Sequence, residues 1–169
     1  YTNTEFFNES EVNISDEEII FIYESEGLIG INLDERILSS KNVVDIAEKR
    51  FNHKITDEMR LYWAKQIVRN ILAMTEVINK SNTTNKEKIW DLYTIGSDFD
   101  GFINPVDGFI TAKELKDLKE FLIKAFDENT EFAKLGFGLN SSQIVNKIMF
   151  ENAYNFLKKH YRTANLLEE

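Results

Sequence analysis

The sequence of 169 residues contains no cysteine. A disulfide framework, a thiolate metal site and a cysteine nucleophile are therefore excluded. A chain without cysteine is compatible with an oxidising or a reducing compartment, so this absence indicates no localisation.

Three other features are missing, and each one narrows the functional classes. Basic residues are not in excess, since 20 Lys and Arg face 29 Asp and Glu for a net charge of -9, which argues against a nucleic-acid partner. No apolar run approaches the length of a membrane span. The first residues, Tyr-Thr-Asn-Thr-Glu, include neither an initiator Met nor a signal-peptide core, so we expect a truncated N-terminus.

What the sequence does contain is enough apolar material for a substantial core. Hydrophobic residues make up 43% of the chain and aromatic residues 12%, which indicates an ordered protein. Because no linker or low-complexity tract interrupts it, we expect residues 1–169 to form a single unit.

Helix-start signals and apolar periodicity predict a helix-rich chain. Capping boxes at Ser15–Glu18, Thr111–Glu114 and Asn140–Gln143 predict helices from about residue 16 to 25, after residue 111, and in a closing helical hairpin. Thr56 is expected to open the longest helix, because apolar residues then recur at spacings of three and four. A further short helix is predicted around residues 42–50.

Two short apolar runs, residues 28–33 and 92–95, predict buried strands. Helices alternate with them, so the two strands should pair in parallel, as in α/β proteins. Two strands are too few for a doubly wound sheet or a closed barrel. The chain is therefore expected to be either a small helix-rich α/β unit or the tail of a larger barrel, and the missing Met favours the tail.

The second strand leads into an acidic turn, Ser97-Asp98-Phe99-Asp100-Gly101, and this turn with the residues after it resembles the binding motifs of two kinds of cation site. Asp98 and Asp100 have the spacing of the two aspartates that bind magnesium in haloacid-dehalogenase-like phosphatases. That family has Thr after the Gly, whereas this chain has Phe102, and no Asp pair follows downstream.

Downstream residues resemble the second half of an EF-hand calcium loop, with Asp107 at position five and Glu114 at position twelve. Positions one and three would then be Ile103 and Pro105, which offer no side-chain oxygen. A Pro-Val-Asp-Gly turn before a capped helix explains the same residues without calcium.

The segment "IGSDFDG" resembles the end of the eighth strand in the membrane (renal) dipeptidase family of metal-dependent barrel hydrolases, within the amidohydrolase superfamily. Upstream, "NISDEEIIFIYESEGLIGIN" is similar to that family's Asn-x-x-Asp-Glu helix and seventh strand. Downstream, "GLNSSQIVNKIMFENAYNFL" is similar to its closing helices. The resemblance covers nearly all of the chain from Asn13 onward.

This resemblance implies an α/β fold that is the C-terminal part of a (β/α)8 TIM-type barrel, the last two strands with their covering helices. It implies hydrolysis of an amide or peptide-like bond, with Asp98 as the acid/base residue and Asn32, Asp34 and Arg36 near the substrate. The cofactor implied is a divalent metal, zinc by analogy. Its ligands would lie mainly outside this segment, with Asp98 as the one possible exception. The implied partner is the remainder of the barrel, and this segment alone should be inactive.

Two departures from the family pattern separate this chain from an ordinary dipeptidase. Val12 stands where the family has an Arg that holds the substrate carboxylate, so another amide substrate becomes plausible. His53 and His160 lack the pairing of a zinc site and are expected at the surface. The alternative from another class is an acidic, non-enzymatic helical interaction module, and a homodimer also stays open.

Overall fold

The computed structural model describes residues 13–99, 101 and 104–161. Over these residues the protein is α/β and mostly helical, with two parallel strands. The helices are α1 (Asp16–Glu24), α2 (Glu35–Leu38), α3 (Lys41–Phe51), α4 (Asp57–Lys80), α5 (Leu115–Asp127), α6 (Phe132–Leu135), α7 (Ser141–Asn146) and α8 (Asn152–His160). The strands are β1 (Ile29–Ile31) and β2 (Tyr93–Ile95). Short 3-10 helices cover Lys86–Asp91 and Ala112–Glu114, and a π-helical segment covers Lys147–Glu151.

Polar side chains begin the helices where the sequence predicts them. At α1 the Glu18 amide donates to the Ser15 hydroxyl at 3.2 Å, and the Ser15 amide donates to the Glu18 carboxylate at 2.7 Å. The same reciprocal arrangement forms at Thr111 and at Asn140. Each pair satisfies two amides that the first helical turn leaves without a partner. The three predicted capping boxes are therefore confirmed.

The longest helix, α4, lies at the centre of the core. Thr56 caps it, as predicted, and its 24 residues form the longest part of the crossover between the two strands. It contacts α1 on one side and α5 on another. Its apolar positions are buried as their spacing predicts: Met59, Trp63, Ile67, Ile71, Met74 and Ile78.

A cluster of aromatic rings joins the segment before β2 to the C-terminal half. Trp90 is fully buried and contacts Tyr93, Phe126 and Phe132 edge-on, with ring centroids about 6 Å apart. Its indole NH donates to the Leu135 carbonyl oxygen at 2.8 Å. The rings and this hydrogen bond hold the start of β2 against α5 and α6.

The strands β1 and β2 pair in parallel, with Ile29 opposite Tyr93 and Ile31 opposite Ile95. One face of the pair is covered, since Ile29, Ile31 and Tyr93 are buried and the Tyr93 hydroxyl lies 2.9 Å from the Thr75 hydroxyl in α4. The predicted α/β class and parallel pairing are therefore confirmed. Both strands are shorter than the apolar runs that predicted them.

The predicted closing hairpin is wrong, because the chain continues as one helical element from Ser141 to His160. No Gly or Pro lies between residues 139 and 161 to break it. Between α7 and α8 the chain passes through the π-helical segment, which is a wider helical turn and does not reverse the chain direction. Among the described residues, no helix is long and apolar enough to cross a membrane.

Candidate functional site

The loops that follow β1 and β2 lie at the same edge of the sheet. The Gly96 amide donates to the Ile31 carbonyl oxygen at 3.0 Å, so the two chains leave the sheet side by side. The chain then returns, and the Val106 amide donates to the Leu33 carbonyl oxygen at 2.9 Å. In parallel sheets, this carboxyl edge is where substrates and cofactors bind.

Asp98 lies in a surface turn at this edge. Its side chain is exposed, and its backbone is left-handed with φ of 55°. The Gly101 amide closes the turn by donating to the Asp98 carbonyl oxygen at 2.9 Å. A Cβ atom at Gly101 would lie 2.3 Å from Asp98 Oδ1, so the glycine makes room for the carboxylate. Asp100, the second aspartate of the phosphatase-like reading, lies outside the described residues, as do Phe102 and Val12.

The loop after β1 is held by its own side chains. Asn32 Oδ1 accepts from the Asp34 amide at 2.6 Å, and Asp34 in turn accepts from the Arg36 amide at the start of α2. The Arg36 guanidinium also donates two hydrogen bonds to the Asp34 carboxylate, from Nε to Oδ1 at 3.0 Å and from Nη2 to Oδ2 at 2.7 Å. The structure thus brings together the three polar residues predicted in this loop. They bond to one another, and the Arg36 side chain remains 50% exposed.

The pKa values of two adjacent carboxyl groups in this loop move in opposite directions. Burial raises the pKa of Asp34, but the hydrogen bonds and charge of Arg36 outweigh burial and leave the pKa below its ordinary value. Burial also raises the pKa of Glu35, and the nearby carboxylates Asp107 and Glu48 raise it further. Such a perturbed carboxyl group at a strand edge is a candidate for acid/base chemistry. Sequence reasoning missed Glu35, because an acid in the first turn of a helix carries no distinctive pattern.

The residues that resemble a calcium loop form a turn and a helix cap. The Phe109 amide donates to the Val106 carbonyl oxygen, and Gly108 takes the positive φ of 88° that this turn requires. The Glu114 carboxylate accepts from both the amide and the hydroxyl of Thr111 at 2.7 Å. The structure therefore favours the turn-and-cap interpretation of these residues over the calcium loop. Ile103, which would stand at position one of a calcium loop, lies outside the described residues.

Both histidines are exposed, as predicted. His53 Nδ1 lies 3.2 Å from Asp107 Oδ2, and the His160 ring packs against Phe156 at the end of α8 in a tilted arrangement. Within the described part of the chain, no group of three His, Asp or Glu side chains could hold a metal ion. The described residues at the carboxyl edge, up to Phe99 and at Gly101, therefore do not by themselves supply a set of metal ligands.

A cavity of about 620 Å³ opens at the opposite edge of the sheet, where the strands begin. It is lined by the segments that precede each strand, including Gly27 and Leu92, and by the end of α8. Two ion pairs join the lining segments to one another: Lys147 pairs with Asp91 before β2, and Lys159 pairs with Glu26 before β1. Asp98 does not line this cavity. Sequence reasoning missed it because its residues come from three distant segments with no shared pattern.

No family model, curated protein or solved structure matches this chain. The likeness to membrane dipeptidases therefore depends on the residues quoted above and stays a prediction. The function has to be inferred from the geometry at the carboxyl edge of the strands.

Proposed function

We propose that this chain is the C-terminal portion of a metal-dependent barrel hydrolase that resembles membrane dipeptidases and cleaves an amide or peptide-like bond. Asp98 is assigned the acid/base role, and Asn32 and Arg36 are assigned to the substrate side of the site. The metal ligands, for zinc by analogy with that family, are assigned to residues outside this chain.

One observation carries the proposal: the parallel pairing of β1 and β2 brings both polar loops to one edge. Ile31 lies opposite Ile95, so the loop from Asn32 and the turn at Asp98 start side by side. In parallel α/β proteins, and in barrels above all, catalytic side chains lie at this end of the strands.

The open face of the sheet gives further support. Parallel sheets are normally covered on both faces. Here the face opposite α4 carries Gly30, Thr94 and Gly96, of which Gly30 is exposed and the other two are half-buried. A Cβ atom added at Gly30 would lie 3.2 Å from the Gly96 Cα. The backbones of the two chain segments therefore approach closely here, and no side chain projects from either glycine on this face. Further strands and the interior of a barrel would cover such a face.

The chemistry assigned to Asp98 is a proton transfer in two steps. Its exposed carboxylate accepts a proton from a water molecule, and the resulting hydroxide attacks the amide carbon. The proton then passes from Asp98 to the amide nitrogen, the C–N bond breaks, and the amine leaves. When bound, a divalent cation lowers the pKa of such a water.

The substrate side is restricted by the Asp34–Arg36 pair. Because Nε and Nη2 of Arg36 already bond to Asp34, a substrate carboxylate would find only the remaining edge of the guanidinium. This agrees with the loss of the family's carboxylate-binding Arg at Val12. We therefore propose a neutral or differently charged amide substrate in place of a simple dipeptide.

The test is Asp98→Asn in the longest polypeptide that contains this chain, assayed for amide hydrolysis with zinc supplied. We expect turnover to fall at least a hundredfold while metal content, measured by elemental analysis, stays the same. The matched control is Asp91→Asn, an exposed aspartate at the end of the 3-10 helix that precedes the same strand, on the side away from Asp98. Its turnover should stay within about twofold of the wild type. Equal losses in both variants, or none in Asp98→Asn, would remove Asp98 from the mechanism.

A second candidate function is a non-enzymatic interaction module, and one observation favours it. The last helical segment carries an exposed row of apolar side chains that includes Phe150 and Leu157. Exposed apolar surface of this kind marks a binding surface for another protein. The two candidates differ in the hydrolysis assay, because the module has no turnover for Asp98→Asn to abolish.

A further inference from the structure

Three large apolar side chains on the C-terminal helical segment, and a fourth at the residue that follows its last helical residue, form a row. Phe150, Tyr154, Leu157 and Tyr161 are 63%, 52%, 58% and 75% exposed, and they recur at spacings of three and four. The first two rings stack, with centroids 5.4 Å apart, which shows that they share a face across the π segment. We call this row the C-terminal stripe.

The C-terminal stripe points away from the core. Ile148 and Asn152 of the same segment are buried, and the Asn152 side chain bonds to the backbone before and within β2. The helix therefore already has one face against the protein. A helix on a protein surface usually keeps its outer face polar, so four exposed apolar side chains in line require another explanation.

Two opposite charges flank the C-terminal stripe on one side. Glu151 directly follows Phe150, and Lys158 directly follows Leu157, so both lie on the same flank, about two helical turns apart. Both side chains belong to exposed residues. Within the described part of the chain, neither forms an ion pair.

This arrangement is complementary to itself. If two copies of the segment pair antiparallel about a two-fold axis near Tyr154, the Tyr154 rings of the two copies meet at the axis. Phe150 then lies beside Leu157 of the other copy, because an axis at residue 154 places residue 150 opposite residue 158. The same rotation keeps the charged flanks on one side, so Glu151 meets Lys158 of the other copy, twice.

We propose that the C-terminal stripe is an antiparallel dimer interface, and that its occupant is a second copy of this chain. The charges of Glu151 and Lys158 favour a second copy of the chain over another apolar partner. Under two-fold symmetry each copy places its Glu151 opposite the other copy's Lys158, so the favourable pair forms twice. This proposal does not depend on the hydrolase assignment. One helical segment is smaller than a standard interface, so we expect a dissociation constant of about 1–100 µM.

The first test reverses the charges in the full chain. Glu151→Lys and Lys158→Glu should each weaken the homodimer at least tenfold in analytical ultracentrifugation, because each places two like pairs across the interface. An equimolar mixture of the two variants should form a heterodimer about as tight as the wild type, because both pairs are then opposite in sign. A structural role of either residue within one copy would give no such recovery.

The second test uses the absence of cysteine in the sequence. Tyr154→Cys should cross-link two copies under mild oxidation, because side chains at the axis come within disulfide distance. Asn155→Cys is the matched control, since Asn155 is exposed on the same helix but points to another side. It should not cross-link at the same chain concentration. Circular dichroism would check that the variants keep the wild-type helix content.

Four results would overturn the proposal. The first is a wild-type chain that stays monomeric at about 1 mM, ten times the weakest expected dissociation constant. The second is a dimer that the charge reversals do not weaken. The third is equal cross-linking at positions 154 and 155. Finding the C-terminal stripe covered by another segment of a longer polypeptide would also exclude a second copy as its occupant.

Discussion

The hydrogen bonds of Asn152 provide the sharpest test of how the C-terminal segment is attached to the sheet. The residue is buried, and its Nδ2 donates to the carbonyl oxygens of Trp90 and Tyr93, both at 2.8 Å. Asn152→Asp keeps the shape of the side chain but replaces this donor with an acceptor. Two hydrogen bonds are lost, and a carboxylate faces two carbonyl oxygens in a buried site.

The magnitude follows from these contacts. Each lost hydrogen bond lowers the free energy of unfolding by about 1 kcal/mol, and leaving buried carbonyl groups without a donor adds about 1–3 kcal/mol. We therefore expect Asn152→Asp to lose about 3–5 kcal/mol at pH 7, in urea unfolding followed by tryptophan fluorescence. The control is Asn155→Asp, exposed on the same helix, which should change by less than about 0.5 kcal/mol.

The pH dependence gives an independent check. The two carbonyl oxygens should raise the pKa of the new carboxyl group in the folded state, because its protonated form can donate to one of them. The loss of stability should therefore be largest above that raised pKa and should shrink by about 1–2 kcal/mol as the pH falls through it. A loss below about 1 kcal/mol at pH 7, or one that does not vary with pH, would refute this account of Asn152.

Two further predictions concern the carboxyl edge. Asp34→Asn should lower the free energy of unfolding by about 1–3 kcal/mol at pH 7, because Arg36 loses its partner, and Glu35→Gln should raise it. In urea titrations from pH 7 to pH 2.5, the gain from Glu35→Gln should vanish first, since its pKa is raised. The loss from Asp34→Asn should persist until the pH falls below the lowered pKa of Asp34. Gly101→Ala should displace the Asp98 carboxylate and, if the proposed hydrolase function holds, reduce turnover of the longest polypeptide that contains this chain more than tenfold, with a stability change below about 1 kcal/mol. Unaltered turnover in that variant would show that the position of the carboxylate does not matter.

Local patterns in the sequence predicted most of the helices. A capping box such as Ser15–Glu18 is satisfied by residues three apart, so the sequence alone contains the whole interaction. The same holds for the apolar positions of α4, whose burial follows from one repeating period. The 3-10 helix at Lys86–Asp91 was missed because its core residues, Ile89 and Trp90, are adjacent and show no period.

The candidate site was predicted only in part. The parallel pairing followed from helix and strand alternation, so the shared edge of Asn32 and Asp98 could be expected. The raised pKa of Glu35 could not be foreseen, because it arises first from burial and then from the charges of Asp107 and Glu48, which the fold brings close. The two hydrogen bonds from Arg36 to Asp34 join residues only two apart, but they depend on the backbone turn at the start of α2, which no sequence pattern predicted. The closing hairpin was wrongly predicted because apolar spacing does not reveal whether two helical runs are continuous.

The order of the segments along the chain also determines when the sheet can be completed during synthesis. Ile29 has no strand to pair with until Tyr93 has been synthesised. The Tyr93 carbonyl oxygen receives its hydrogen bond only once Asn152 has been synthesised. On a ribosome, α1 and α4 can associate while β2 and the C-terminal helical segment are still being made, because helices need only nearby residues. The strand pair therefore remains incompletely secured until the last helix has emerged, and we expect its backbone amides to gain protection from hydrogen exchange last.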